Sequence, residues 1–294
     1  MRVLLATDGS QDATTAAEWL KEFPLPEDVT LLALSVAQIP TTPVPLLTLK
    51  ELRNAVLADA HRIITETRTL LAPRWPEAEV RVSEGDPREE ILTMAEEWGA
   101  DLIVVGARGL GAVKAALMGS VSQAVTRHAH CAVLVVKGRP GPLKSAIVAV
   151  DGSPDSLHAL NFLSTLSPER TFRIILLGVV KPFRFPTTAP GFIRGPLKAA
   201  QAELHQEWKK EMEAILAHAA SGIEGKADRV ERLVTFGNPG DEIVSTAVER
   251  SVDLVVVGAR GLGGASRLLL GSVSEKVLSS SRSPVLVVKQ PKKK

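Results

Sequence analysis

The chain contains one stretch twice. Residues 106–122 read GARGLGAVKAALMGSVS and residues 258–274 read GARGLGGASRLLLGSVS. Both keep Gly, two residues, Gly, nine residues, Gly-Ser. Each follows a short apolar run rich in β-branched residues, Asp101 to Val105 and Asp253 to Val257, the composition of a parallel strand buried on both faces. Each ends in Gly-Ser-Val-Ser at the start of a helical pattern. A strand, a glycine loop and a helix start in succession are the parts of a βα unit, and they aim N–H groups and hydroxyls at whatever the loop holds. That is anion chemistry. The bland alternative is that the glycines only allow a strand-to-helix connection, which does not need so wide a gap between the first glycine and the last. Other phosphate signatures are absent, because Ala112 follows Gly111 where the P-loop has lysine and Lys114 breaks G-x-G-x-x-G.

The rest of the chain alternates strand and helix signals around these loops. Arg2 to Thr7 reads as a strand ending at Asp8-Gly9-Ser10, with Ser10 as N-cap of a helix from Gln11 to Glu22. Val29 to Ala37 is a second buried strand, and a proline-rich connection, 38–48, precedes a long amphipathic helix from about Leu49 to Leu71. Glu77 to Glu84 alternates as a third strand. Asp86 and Pro87 open a helix to Trp98 as N-cap and first helical residue. After the loop come a helix from Ser120 to His130 and a strand from Ala132 to Lys137.

The second half repeats the order. Asp8 to Asp151 and Val36 to Val179 are offsets of 143, whereas Gly85 to Gly237 and Gly106 to Gly258 are offsets of 152. About nine extra residues therefore enlarge the stretch Lys181 to Pro196, which we expect to form a partial lid. Gly138-Arg139-Pro140-Gly141-Pro142 is a stiff linker, giving domains 1–138 and 144–294. Each is expected to be a doubly wound α/β unit, a five-stranded parallel sheet with helices on both faces. Right-handed crossovers and a reversal of strand order beside strand one bring Asp8 to Gly106, and Asp151 to Gly258, at one crevice.

Composition removes some functions. A net charge of +2 gives no case for a nucleic-acid surface. No apolar run is long enough to span a bilayer, and no signal-peptide pattern opens the chain, so the cytoplasm is the expected location. Cys131, the single cysteine, reads as a buried apolar residue.

With Asp8 and Asp151 after strand one and the two loops in place, the chain resembles the ATP-binding branch of the universal stress protein family over nearly its whole length. The resemblance implies a strand order of 3-2-1-4-5 in each half and ATP at the ends of strands one and four, with Mg2+ held largely by phosphate and water. It implies that Asp8 and Asp151 lie near the adenosine and that Val36, Val105, Val179 and Val257 lie at the base. Gly106, Gly109, Gly119, Ser120, Val121 and Ser122, with Gly258, Gly261, Gly271, Ser272, Val273 and Ser274, would hold ribose and phosphates. Arg108 and Arg260 share one loop position and could pair with phosphate; Lys114 and Arg267 are weaker candidates. The resemblance also implies that the terminal strands of the halves pair, making an internal pseudo-dimer, with a homodimer between chains open.

Catalytic readings have less support. No nucleophile with its base can be assigned from spacing. His128 and His130 lack further ligands for a metal and suit a helix C-terminus. An adenylyl-transferring or slow ATP-hydrolysing enzyme, and a ligand-free dimerisation scaffold, are the alternatives to a nucleotide-sensing or signalling stress-response module with two ATP sites, one per domain.

Overall fold

The computed structural model describes residues 1–39, 46–110, 118–138, 141–166, 172–182, 191–223, 225, 227, 229–262 and 270–290. In the first half β1 (Arg2–Ala6), β2 (Thr30–Ala37), β3 (Glu79–Glu84), β4 (Leu102–Gly106) and β5 (Ala132–Val136) alternate with α1 (Gln11–Glu22), α2 (Leu46–Leu71), α3 (Pro87–Trp98) and α4 (Ser120–His128). The second half follows the same plan. Its strands are β6 (Ser145–Ala149), β7 (Arg173–Val180), β8 (Arg229–Phe236), β9 (Leu254–Gly258) and β10 (Val285–Val288), and its helices α5 (Pro154–Thr165), α6 (Gly191–Ser221), α7 (Pro239–Glu249) and α8 (Ser272–Ser280).

Local chemistry sets these boundaries. Ser10 accepts from the Ala13 N–H and starts α1; Asp86 accepts from the Arg88 N–H and Pro87 opens α3, which stops where Gly99 turns left-handed at φ 70°. The helix expected from Leu49 begins earlier, at Leu46. The one expected to reach His130 ends at His128. Lys114 and Arg267 lie outside the described residues, as does half of the expected lid, over 183–190, while its end from Gly191 belongs to α6.

All ten strands form one sheet, in the order β3-β2-β1-β4-β5-β10-β9-β6-β7-β8. Within each half the order is 3-2-1-4-5 and every pairing is parallel. The halves join where β5 and β10 pair antiparallel, Leu134 opposite Leu286, so neither apolar terminal strand is an open edge. Alternation divides the core. Val3, Leu5, Leu134 and Leu286 pack on one face, and Leu4, Ile103, Val133 and Val287 on the other, all completely buried. Each layer runs through both halves.

Two lysines clamp the joint. Lys137, just after β5, donates to the Leu278 and Ser281 carbonyls at the end of α8. Lys289, just after β10, donates to the Arg127 and Ala129 carbonyls at the end of α4, at 3.0 and 2.7 Å. Helix C-termini leave carbonyls without intrahelical partners and carry a partial negative charge, so each half caps a helix of the other. Burial pulls both ammonium groups down to about 8. His128 lies in the last turn of α4, as expected of a residue closing a helix C-terminus, with Lys289 donating to the carbonyls there, while His130 lies beyond the helix, 3.9 Å from Glu96. Between the same helices Arg127 pairs with Glu275.

Candidate functional site

The order 3-2-1-4-5 reverses beside β1, and the carboxyl ends of β1 and β4 open a crevice where α/β sheets hold ligands. In the first half this is a cavity of about 580 Å³. Its floor is Ala6 to Asp8 and Leu34 to Gln38; one wall is Val56, Asp59, Ala60 and Ile63 of α2; the other is Val105, Gly106 and Arg108 to Leu110 with Met118 to Ser122. All ten candidates of this half line it: Asp8, Val36, Val105, Gly106, Arg108, Gly109, Gly119, Ser120, Val121 and Ser122.

Shared location does not mean shared work. The Asp8 carboxylate accepts from the Ser10 N–H at 3.1 Å and from the Leu110 N–H at 3.0 Å, tying the loop to the end of β1. Gly109 makes that approach possible, since a Cβ on it would sit 2.4 Å from Asp8 Oδ2. Gly106 serves packing rather than access for a ligand. A Cβ there would meet the α1 backbone, 2.6 Å from the Asp12 carbonyl carbon and 2.7 Å from the Ala13 nitrogen. The second half repeats both contacts, with Gly261 against Asp151 Oδ2 at 2.6 Å and Gly258 against Asp155 at 2.6 Å. There Asp151 accepts from the Ser153 and Leu262 N–H groups at 2.9 and 3.2 Å.

The Gly-Ser-Val-Ser segment divides in the same way. Ser122 is buried and donates within the protein, to the Ala107 and Gly119 carbonyls at 2.8 and 3.0 Å. Ser274 does the same to Gly258, at 2.7 Å. The Gly119 N–H is also used, donating to Ala107 at 2.7 Å. Ser120 is left, exposed at the cavity mouth, at the start of α4 whose first-turn N–H groups have no partners inside the helix. Ser272 holds the same position on α8, after the N-cap Gly271, with Val273 behind it. Val179 is the penultimate residue of β7 as Val36 is of β2, in one register with the neighbouring outer strand, opposite Thr235 and Ser83. Val257 lies in β9, opposite Val287.

The loop arginines are engaged. Arg108 Nε and Nη2 reach the two Asp12 carboxylate oxygens at 2.9 and 3.2 Å, and the pair raises the guanidinium above its ordinary value. Arg260 grips Asp155 likewise, at 2.9 and 3.3 Å. A phosphate would have to share these guanidinium groups. Asp12 and Asp155 went unnoticed in the sequence, although they keep the same 143-residue offset as Asp8 and Asp151. So do Ser10 and Ser153, whose hydroxyls donate to the Arg108 and Arg260 carbonyls at 3.2 and 3.4 Å and fasten α1 and α5 to the loops. Cys131 is largely buried, and burial pushes its thiol up to about 12.

Residues 1–137 and 142–289 each match the Universal stress protein family. The chain belongs to that family, as two domains in tandem. It is similar to Universal stress protein Rv2623 of Mycobacterium tuberculosis, 27% identical over 98% of this chain and 96% of the relative. Universal stress protein Rv1996 of the same species is 32% identical over 65% of this chain, a match that spans only 59% of the relative's length. Universal stress protein YxiE of Bacillus subtilis is 35% identical across 49% of this chain and 97% of its own. Among solved structures, a universal stress protein from Archaeoglobus fulgidus has a TM-score of 0.68 at 24% identity and covers 98% of both chains, a likeness of fold. No helix among the described residues is long and apolar enough to cross a membrane.

Proposed function

We propose that this universal stress protein is a nucleotide-sensing module of the cytoplasmic stress response, and that its first half, 1–138, binds ATP in the β1–β4 crevice. One observation carries the reading: the ten residues picked out by the motif line a single cavity of about 580 Å³, a size within the range of small-molecule sites. Its two ends differ in chemistry. The end between β2 and α2 is lined by Leu34, Val36, Ala37, Val56, Ala60 and Ile63, a surface for a flat heterocycle. The end at Gly109, Gly119 and Ser120 offers a hydroxyl and the N-terminus of α4, a surface for phosphate.

Mg2+ would reach the site on the nucleotide. Both Asp8 oxygens accept N–H bonds and Asp12 is held by Arg108, and the described residues contain no group of three or more metal-binding side chains. Phosphate oxygens and water would supply its ligands. The second half, 144–294, repeats the loop, the aspartate tie and the serine clasp.

Calorimetric titration of the nucleotide-stripped chain with ATP, AMP and GTP tests the proposal. ATP should bind, and combining Gly109→Val with Ser120→Ala should abolish binding in the first half. No heat from any of the three with the unaltered chain would refute it.

A further inference from the structure

The glycine loops of the halves are alike, but the walls facing them are not. The offset of 152 pairs α2 with α6: Ile63 lies against Gly9 and Ile215 against Gly152, while Ile64 and Leu216, like Leu71 and Ile223, are buried at matching positions. On this register the cavity residues Val56 and Ala60 correspond to Trp208 and Met212. On the sheet, the offset of 143 pairs Thr7 with Val150 and Ser35 with Gly178.

These exchanges add bulk at one end of the second crevice. A Cβ on Gly178 would lie 2.4 Å from both Cγ and Sδ of Met212, so the thioether already takes the space that the Ser35 side chain has in the first half. One turn earlier a tryptophan stands in place of the cavity-lining valine. At the rim, the first half has Arg53 and Glu84 paired at 2.6 Å. Their counterparts His205 and Phe236 form a ring contact at 5.6 Å, and the Trp208 ring packs 6.1 Å from His205. The rings of Phe236, His205 and Trp208 thus lie in a row, and the buried His205 Nε2 has no hydrogen-bond partner.

We propose that Met212 and Trp208 fill the base end of the second crevice and so set the specificity of the chain: it binds one adenine nucleotide, in the first half. The second half retains the loop as a structural copy whose base end is occupied by its own side chains. This inference rests on the reading of the first cavity as a nucleotide site.

The test is the ATP stoichiometry of the full-length, nucleotide-stripped chain, measured by calorimetry with folding checked by circular dichroism. The unaltered chain should bind one ATP. Ala60→Met should weaken that binding roughly 100-fold, as expected when a side chain takes the space of a ligand group. Met212→Ala combined with Trp208→Val should raise the stoichiometry to two. Two ATP per unaltered chain overturns the inference and leaves the nucleotide reading standing, whereas none overturns both. One ATP that survives Ala60→Met, or a folded double variant that still binds one, removes the assignment to these residues. Should the double variant fail to fold, emission from Trp208 decides, with Trp19, Trp75 and Trp98 replaced by Phe. Quenching by ATP would mean a base stacked on that ring and would overturn the proposal; unchanged emission would support it.

Discussion

Replacing Lys137 and Lys289 by Met tests whether the joint between the halves holds buried charge. The two ammonium groups are pulled to about 8, whereas an unfolded lysine titrates near ~10.4. Between those values the unfolded chain binds more protons than the folded one, so stability rises with pH across the window and is flat on either side of it. Integrating the linkage from pH 7.5 to pH 9 gives a gain of about 1 kcal/mol per lysine, roughly 2 to 2.5 for the pair. Cys131 works the other way. Its thiol is held to about 12 in the fold, so the unfolded chain ionises first, costing about 0.4 kcal/mol by pH 9. The lysines therefore win in this range, and no tyrosine complicates it, because the chain has none. Urea unfolding at half-unit steps should show the midpoint of the unaltered chain rising from pH 7.5 to pH 9. The double methionine variant should lose that rise and fall slightly. At pH 7.5 two effects compete in the variant. It no longer buries two charges, but it leaves the carbonyls of Leu278, Ser281, Arg127 and Ala129 without their lysine donors, at about 1 to 3 kcal/mol for each acceptor that stays buried and unsatisfied. The unpaired carbonyls should dominate and the variant should be less stable. A midpoint that falls with pH in the unaltered chain, or runs parallel in both proteins, would refute the reasoning.

Two further substitutions test the loop. Gly106→Ala puts a methyl group 2.6 Å from the α1 backbone, where no flexible side chain can give way, so it should cost about 1 to 3 kcal/mol as overpacking does; an unchanged thermal midpoint would contradict the packing role. Asp8→Asn removes a charge that accepts two backbone N–H bonds and turns an amide N–H2 toward one of those donors. It should free the Leu110 amide, seen as faster hydrogen exchange there, with roughly 1.5 to 3 kcal/mol of local stability lost. Equal exchange in the two proteins would mean the tie does not hold the loop.

Much of this fold was legible because its signals are local. Ser10 and Asp86 start helices by accepting hydrogen bonds from residues two or three positions away, Pro87 by its fixed φ at the first helical position, and the strands are short β-branched runs. The partners of the loop were less legible, since they lie about a hundred residues off. Gly106 and Gly109 stand three residues apart in one motif, yet one makes room for the backbone of α1 and the other for a carboxylate from β1. Ser120 and Ser122 belong to one tetrapeptide, but two residues of helix turn the second hydroxyl inward to Ala107. Spacing can mark such residues as a group, while only the packed neighbours separate a residue that faces a ligand from one that holds the wall behind it. The buried lysines were harder still. Each follows a strand whose pairing partner is in the other half, and a lysine at a strand end otherwise reads as a solvated residue.

The register offset puts the extra residues of the second half in 181–196, of which 183–190 lie outside the described residues; the proposed inequality rests on Met212 and Trp208 of α6 standing where α2 has Ala60 and Val56. A repeat can keep every residue of its motif and still change what it admits, because the loop meets one end of a ligand and the opposite wall meets the other. Identity between two loops is then evidence about folding as much as about binding: the ties Asp8 to Leu110 and Asp151 to Leu262 close the carboxyl end of the sheet in both halves. Those ties preserve the second motif whether or not a nucleotide reaches it.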